Sequence, residues 1–311
     1  MKSINVFAPA TVANLGCGFD IMGLAIDEPG DEVSLSLNNE KKLIIKKIIG
    51  DGGKLSYEAK KNTCTVAIQS MLNAMKSKQG FDVVLKKKMP LGSGLGSSAA
   101  SAVAGVYAAN VLFGKPFSKR ELVPFAMQGE KVASGAAHAD NVAPCMLGGI
   151  ILIRSYHPLD IIQLPVPEKL FLVVVHPHVE VLTKDARAVL RKNIPMKDAV
   201  RQWGNTAALT AGLYENNLDL VGRAVEDYVA EPFRSSLIPH FKKVKNAALD
   251  HGAIACSISG SGPSIFAMCD EKSGARKIAE AMKKIFSNHK IKSESYISLV
   301  NNKGAKVLGK K

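Results

Sequence analysis

The stretch "PLGSGLGSSAAS" (residues 90–101) puts Gly92, Gly94 and Gly96 together with Ser93, Ser97 and Ser98 into its first nine positions. Before it, "FDVVLKKKM" (81–89) reads as a strand ending at Pro90. After it, the small-residue run "ASAVAGVYAANVLFG" reads as a helix to about Phe113, closed by Gly114. A flexible linker does not fit between a strand and a helix with no residues to spare. Strand, glycine loop and helix start together present unpaired backbone N–H groups and the positive end of a helix dipole to an anion. Glycine lets the backbone approach that anion at positive φ. The serines can cap the helix, donate to phosphate oxygens or ligate a divalent cation. The other reading of the same residues is a tight turn capped by serine. Two common phosphate loops do not match. No lysine follows Gly96, as G-x-x-x-x-G-K-[ST] requires. The glycine spacing is G-x-G-x-G, and 112–120 lacks the acidic residue that follows a dinucleotide loop.

Working outward, "INVFAPATVANLG" begins as a short strand stopped by Pro9, and in 31–38 Val33, Leu35 and Leu37 alternate with Ser34 and Ser36 as a half-buried strand. "KLIIKKII" (42–49) reads as its neighbour, and 63–78 shows helical apolar spacing. Ser118 and Glu121 form a capping box opening a helix through about Ser134. "CMLGGIILI" (145–153) and "KLFLVVVHP" (169–177) are buried-type strands. Residues 183–192, 199–215 and 218–229 are helical by period. "GAIACSIS" and "SIFAMC" form a hairpin around "GSGP", followed by a helix over 272–289 and a last strand at 293–300. This mixed order predicts an α+β protein in two lobes, 1–160 and 161–311, divided near the Pro-bearing stretch 158–167.

With 47% hydrophobic and 22% charged residues among 311, the chain has matter for a substantial core. No run is long and apolar enough for a membrane span, and the N-terminal stretch has no apolar signal region, so a cytoplasmic protein without a membrane partner is expected. The five cysteines are scattered without a C-x-x-C pair, and the seven histidines complete no zinc spacing; they read as reduced and mostly buried thiols. The net charge of +14 raises nucleic-acid binding as a rival. The lysines are dispersed ("KKLIIKK", "KKK" at 86–88, the tail "KGAKVLGKK"), and aromatics make up only 6%, so base-stacking surface is scarce. The lysines read as a solvated surface whose field draws in polyanions such as a nucleotide phosphate.

"PLGSGLGSSAAS" resembles the ATP-binding loop of the GHMP kinases, the family named for galactose, homoserine, mevalonate and phosphomevalonate. "PATVANLGCGFDIMGLA" (9–25) and "SISGSGPS" (257–264) resemble its other two motifs, in order along most of the chain. The first motif lacks the basic residue and later Gly-Glu of the galactokinase-like and mevalonate-kinase-like branches. "AHADNVAPCMLGG" (137–149), "TKDARAVL" (183–190) and "EPFRSSLIP" (231–239) are similar to the homoserine branch. The resemblance implies the two-domain GHMP kinase fold: an N-terminal domain like ribosomal protein S5 domain 2 and a ferredoxin-like C-terminal domain. It also implies phosphorylation of L-homoserine by ATP with Mg²⁺, on the route to threonine. The expected partner is that small molecule, without nucleic acid, and a homodimer is left open. Another small-alcohol GHMP kinase, such as one for shikimate, a basic S5-like nucleic-acid-binding protein and a non-catalytic sensor of nucleotide or amino acid remain alternatives.

On this resemblance the ATP loop comprises Pro90, Leu91, Gly92, Ser93, Gly94, Leu95, Gly96, Ser97, Ser98, Ala99 and Ala100, with Asn62 helping the adenine pocket. Phosphoryl transfer needs charge neutralisation and an in-line hydroxyl. Mg²⁺ takes only one or two protein oxygens, and Ser98 and Glu130 are the candidates. Arginine suits a carboxylate through paired hydrogen bonds, which points to Arg187 and Arg234. Asn14 and Asp20 suit the ammonium and hydroxyl ends, His138 can hydrogen-bond the amino acid, and Gly260 with Gly262 shapes the loop facing it. Asp140 either orients the substrate or acts as base; both readings stay open.

Overall fold

The computed structural model describes residues 3–135 and 137–310. The first lobe runs β1 (Ser3–Ala13), β2 (Met22–Asn38), β3 (Leu43–Ile49), α1 (Thr63–Ala74), β4 (Gly80–Lys86), α2 (Ser97–Leu112), α3 (Lys119–Ser134), α4 (Val142–Leu147), β5 (Ile150–Tyr156) and β6 (Leu159–Leu164). The second runs β7 (Phe171–Pro177), α5 (Thr183–Ala188), α6 (Met196–Tyr214), α7 (Leu218–Ala224), α8 (Glu231–Arg234), α9 (Phe241–Asp250), β8 (Ala255–Ile258), β9 (Ile265–Cys269), α10 (Lys272–Asn288) and β10 (Ser293–Leu299). The chain then returns to the first lobe as β11 (Lys306–Lys310).

The first lobe is built on a seven-stranded sheet of order β11-β1-β2-β4-β3, with β5 on the first half of β2 and β6 on β5. β3 and β4 pair in parallel around α1, a βαβ unit within an otherwise antiparallel sheet. α2 is the buried centre of the lobe. Thirteen of its residues are buried, and its small side chains let neighbours approach closely. A Cβ on Gly105 would stand 2.4 Å from the Cys64 sulfur of α1, and one on Gly129 of α3 would stand 2.5 Å from the Thr63 carbonyl. The Ala/Gly-rich composition thus fixes where the N-terminus of α2 points. The second lobe has an antiparallel sheet of order β10-β7-β9-β8. Within a βαββαβ arrangement this is the ferredoxin-like order 4-1-3-2. Val244 and Ala248 of α9 and Ile278, Met282 and Phe286 of α10 form its core with β7, β8 and β9. A bridge between Ile26 and Val300 and the Asp27 N–H donating to Ser298 Oγ at 2.8 Å tie the lobes together.

Several local expectations are corrected. Pro9 does not stop β1; the strand continues past it through a register shift between Pro9 and Thr11. A bulge leaves the missing proline N–H without a ladder partner to satisfy. Cys145 and Met146 belong to α4, because Gly148 at φ 82° ends that helix and β5 begins only at Ile150. Leu37 lies at the end of β2 and is 42% exposed, unlike buried Val33 and Leu35. The helix expected over 183–192 shortens to α5. The Pro-bearing stretch carries β6, across the expected 160/161 boundary, and the lysine-rich tail pairs with β1 as β11. The capping box of Ser118 and Glu121 forms as expected. All five cysteines are buried and free. Among the described residues no helix is long and apolar enough to cross a membrane.

Candidate active site

The three glycine-rich motifs, up to 246 residues apart in sequence, meet at one cleft of about 700 Å³. In the loop Gly92, Gly94 and Gly96 all take positive φ, at 65°, 75° and 69°. Two of them are also required by close approach. A Cβ on Gly94 would lie 2.4 Å from the Ser259 carbonyl and 2.7 Å from that of Gly262, and one on Gly96 would lie 2.1 Å from Thr11 Oγ1. Hydrogen bonds stitch the motifs at those points. Ser259 Oγ donates to the Gly94 carbonyl at 2.7 Å, the Thr11 N–H donates to Leu95 O at 3.0 Å, and Asn14 Nδ2 donates to Gly260 O at 3.0 Å.

Leu91, Gly92, Ser93, Gly94, Gly96, Ser97 and Ser98 line the cleft from the loop. Leu95, Ala99 and Ala100 are fully buried in the core beneath it and hold the loop by packing. Pro90 lies outside the lining. Asn62 stands apart from the wall, since its carboxamide caps α1, accepting from Cys64 N at 3.1 Å and donating to Ser56 O at 3.1 Å. Ser98 sits in the first turn of α2 and hydrogen-bonds the Glu130 carboxyl that α3 brings to the same wall. A hydroxyl and a carboxylate beside a phosphate-type loop are hard oxygen donors suited to Mg²⁺. Burial pushes the Glu130 carboxyl up to about 7, opposed by the Ser98 hydrogen bond and the Lys87 charge; a divalent cation would reverse that penalty.

The other end of the cleft gathers the residues expected to hold a small polar molecule. Asp20, at φ 60°, accepts two hydrogen bonds from Arg187 Nη2 at 2.8 and 3.0 Å. Arg234, 4% exposed, donates to Ala186 O and Gly260 O. Both guanidinium groups stand over the Phe19 ring, at 5.9 and 4.9 Å, a cation–π arrangement in which the ring face attracts their positive charge. Asp140 is 4% exposed, and its carboxyl is pushed up to about 7 by burial first, then by the charges of Asp20 and Glu130. Burial holds His138 below its usual range and therefore neutral near pH 7. His138 Nε2, Arg187 Nε and Ser93 Oγ are buried without a hydrogen-bond partner, and all three residues line the cleft. Native proteins rarely leave such atoms orphaned.

Among the lining residues that escaped sequence reasoning are Asn141 and Lys87. Asn141 lines the cleft beside Gly96 and accepts from Thr11 Oγ1 at 2.7 Å. Its position next to Asp140 in "ADN" was the available signal. Lys87, read as part of a solvated lysine run, has a side chain only 2% exposed and reaches the loop from below. The available signal was the strand's period of two, which puts position 87 on the buried face of Phe81, Val83 and Leu85 and positions 86 and 88 on the other.

Comparison with known proteins agrees with this geometry. Residues 62–149 match the profile of the GHMP kinases N terminal domain and residues 209–288 that of the GHMP kinases C terminal domain. The chain is 51% identical to a homoserine kinase of Chlorobium phaeobacteroides, over 99% of this chain and 100% of that one. It is 39% identical to one of Pyrococcus furiosus, over 97% and 99%. The crystal structure of homoserine kinase from Cytophaga hutchinsonii superposes with a TM-score of 0.97 at 56% identity, covering 99% of this chain and 98% of that one. A mevalonate kinase of L. major, at 17% identity and a TM-score of 0.70, shares the fold alone. With both lobes, all three motifs and full-length similarity in agreement, the chain belongs to the homoserine kinase family of the GHMP kinases.

Proposed function

We propose that this protein transfers the terminal phosphoryl group of ATP to the hydroxyl of L-homoserine, giving O-phospho-L-homoserine and ADP in the cytoplasm. One observation carries the substrate assignment: Arg187 and Arg234 line the same cleft as Asp20 and Asp140, and the glycine loop lines it too. A zwitterionic amino acid presents a carboxylate to Arg187 and Arg234 and an ammonium to Asp20 and Asp140. That leaves its side-chain hydroxyl to face the loop. Galactose, mevalonate and shikimate lack the ammonium, and the relatives' names favour neither another alcohol nor nucleic acid.

The division of labour follows from position. Backbone N–H groups of the loop and of the start of α2 hold phosphate oxygens. Ser98 and Glu130 would hold Mg²⁺, which supplies charge neutralisation on the phosphates. Arg187, Arg234, Asp20, Asn14 and His138 orient the amino acid, and Asp140 holds its ammonium. Proximity and charge neutralisation supply most of what phosphoryl transfer demands. The test is ADP release from Mg²⁺ATP with L-homoserine, mevalonate, galactose and shikimate in parallel. Turnover with L-homoserine alone is expected. Preferred turnover of an alcohol without an ammonium would overturn the substrate assignment.

A further inference from the structure

We propose that Lys87 and Asp31 form a buried strut that sets the phosphate loop from beneath, so that Lys87 is a positioning residue and not a ligand of the phosphates. The proposal rests on the reading of the loop as the ATP cradle. Lys87 lies just past the end of β4, and its side chain is ion-paired with that of Asp31 on β2; the two side chains are 2% and 1% exposed. An ammonium has three protons to donate, and here all three have acceptors: the Asp31 carboxylate, the Ser97 carbonyl at 2.7 Å and Ser101 Oγ at 2.6 Å. A phosphate oxygen could gain one only by displacing one of these partners.

Asp31 is equally committed. Its Oδ1 accepts from the backbone N–H of Lys88 at 2.8 Å and of Met89 at 3.2 Å, and its Oδ2 accepts from Ser97 Oγ at 2.9 Å. One carboxylate therefore clamps the chain on both sides of the loop, at 88–89 where it enters and at Ser97 where it leaves. Lys87 grips the Ser97 carbonyl and, one turn further along α2, Ser101. Ser98 follows directly, so any rotation at Ser97 re-aims both the Ser98 hydroxyl and the N–H groups at the start of α2. A buried ion pair is a poor source of net stability against a well-packed apolar alternative; geometric definition is what this one supplies.

The decisive variants are Asp31→Asn, Lys87→Met and their combination, tested in the full chain. The readouts are the Kd for ATP, the inhibition constant of adenosine and the KM for L-homoserine. With a strut, either single change weakens ATP at least tenfold. Adenosine inhibition and homoserine KM then stay within about threefold of the parent, and the double variant is no worse than a single one, because the strut can be broken only once. If Lys87 instead ligates phosphate, Asp31→Asn frees it. ATP would then bind as well as in the parent or better, and only variants lacking Lys87 would lose affinity; that result overturns the proposal. A uniform loss of ATP, adenosine and homoserine binding, signifying general structural damage, overturns it too.

Ser101→Ala gives an independent answer should the charge variants not fold. It removes one acceptor of Lys87 while leaving the ion pair. The strut predicts a severalfold weaker ATP affinity, and a phosphate ligand predicts a tighter one. A parent protein that does not bind ATP would overturn the nucleotide reading itself, and the strut with it.

Discussion

The Asp140 carboxyl is the group whose replacement yields the most informative energy. It is buried, and Asp20 and Glu130 face it with negative charge. Arg187 is the opposing cation, the Asn141 N–H donates to it at 3.1 Å, and Tyr156 and Arg234 feel its field. These surroundings push it up to about 7 from an ordinary 3.8. The folded protein therefore holds a proton that the unfolded chain has released between pH 3.8 and 7, so stability falls as pH rises through that window and levels off above it. At 1.36 kcal/mol per unit, the cost accumulated between pH 5 and the plateau is about 3 kcal/mol. Asp140→Asn cannot ionise and escapes that cost while keeping an acceptor for the Asn141 N–H. In ligand-free protein, the stability advantage of the variant over its parent should widen by about 3 kcal/mol from pH 5 to pH 8. That corresponds to a relative shift in Tm on the order of 5 °C or more. The assay is thermal or urea unfolding of both proteins at pH 5, 6, 7 and 8 without nucleotide. A difference independent of pH, or an advantage that narrows toward pH 8, would refute the assignment of a raised carboxyl.

Three further outcomes follow from the site. In steady-state kinetics, Asp140→Asn should raise the KM for L-homoserine while turnover at saturating substrates stays within tenfold of the parent. If turnover instead drops by two to four orders of magnitude, Asp140 is a general base. Gly94→Ala places a Cβ 2.4 Å from the Ser259 carbonyl at φ 75°, so it should weaken ATP at least tenfold, measured by calorimetry; parent-like affinity would mean that the third motif does not press on the loop. His176, buried beside Ser264 and His178, is held down at about 4 by burial. The unfolded chain binds its proton first, so stability present above pH 6.5 is lost as pH falls toward 4, by up to about 3 kcal/mol, and urea unfolding of His176→Gln should show a shallower acid slope.

Much of this molecule was determined by the sequence alone. Glycine spacing, a strand before it and an alanine-rich helix after it dictate an anion-holding loop, because positive φ and bare helix N–H groups are local properties. Ser118 and Glu121 cap α3 for the same reason. The order of strands and helices was legible because apolar periodicity is local as well. What escaped was non-local. Whether Pro9 ends a strand depends on a bulge against a partner strand, and whether Cys145 is helical depends on how Gly148 turns. β11 exists only because β1 offers it a sheet edge. Lys87 makes the point most sharply. The strand's alternation puts it on the face of Phe81, Val83 and Leu85, but its charge can be buried there only because Asp31, 56 residues earlier, meets it beneath the loop. A lysine's solvation is decided by the partner the fold brings to it, and only the tertiary structure supplies that partner.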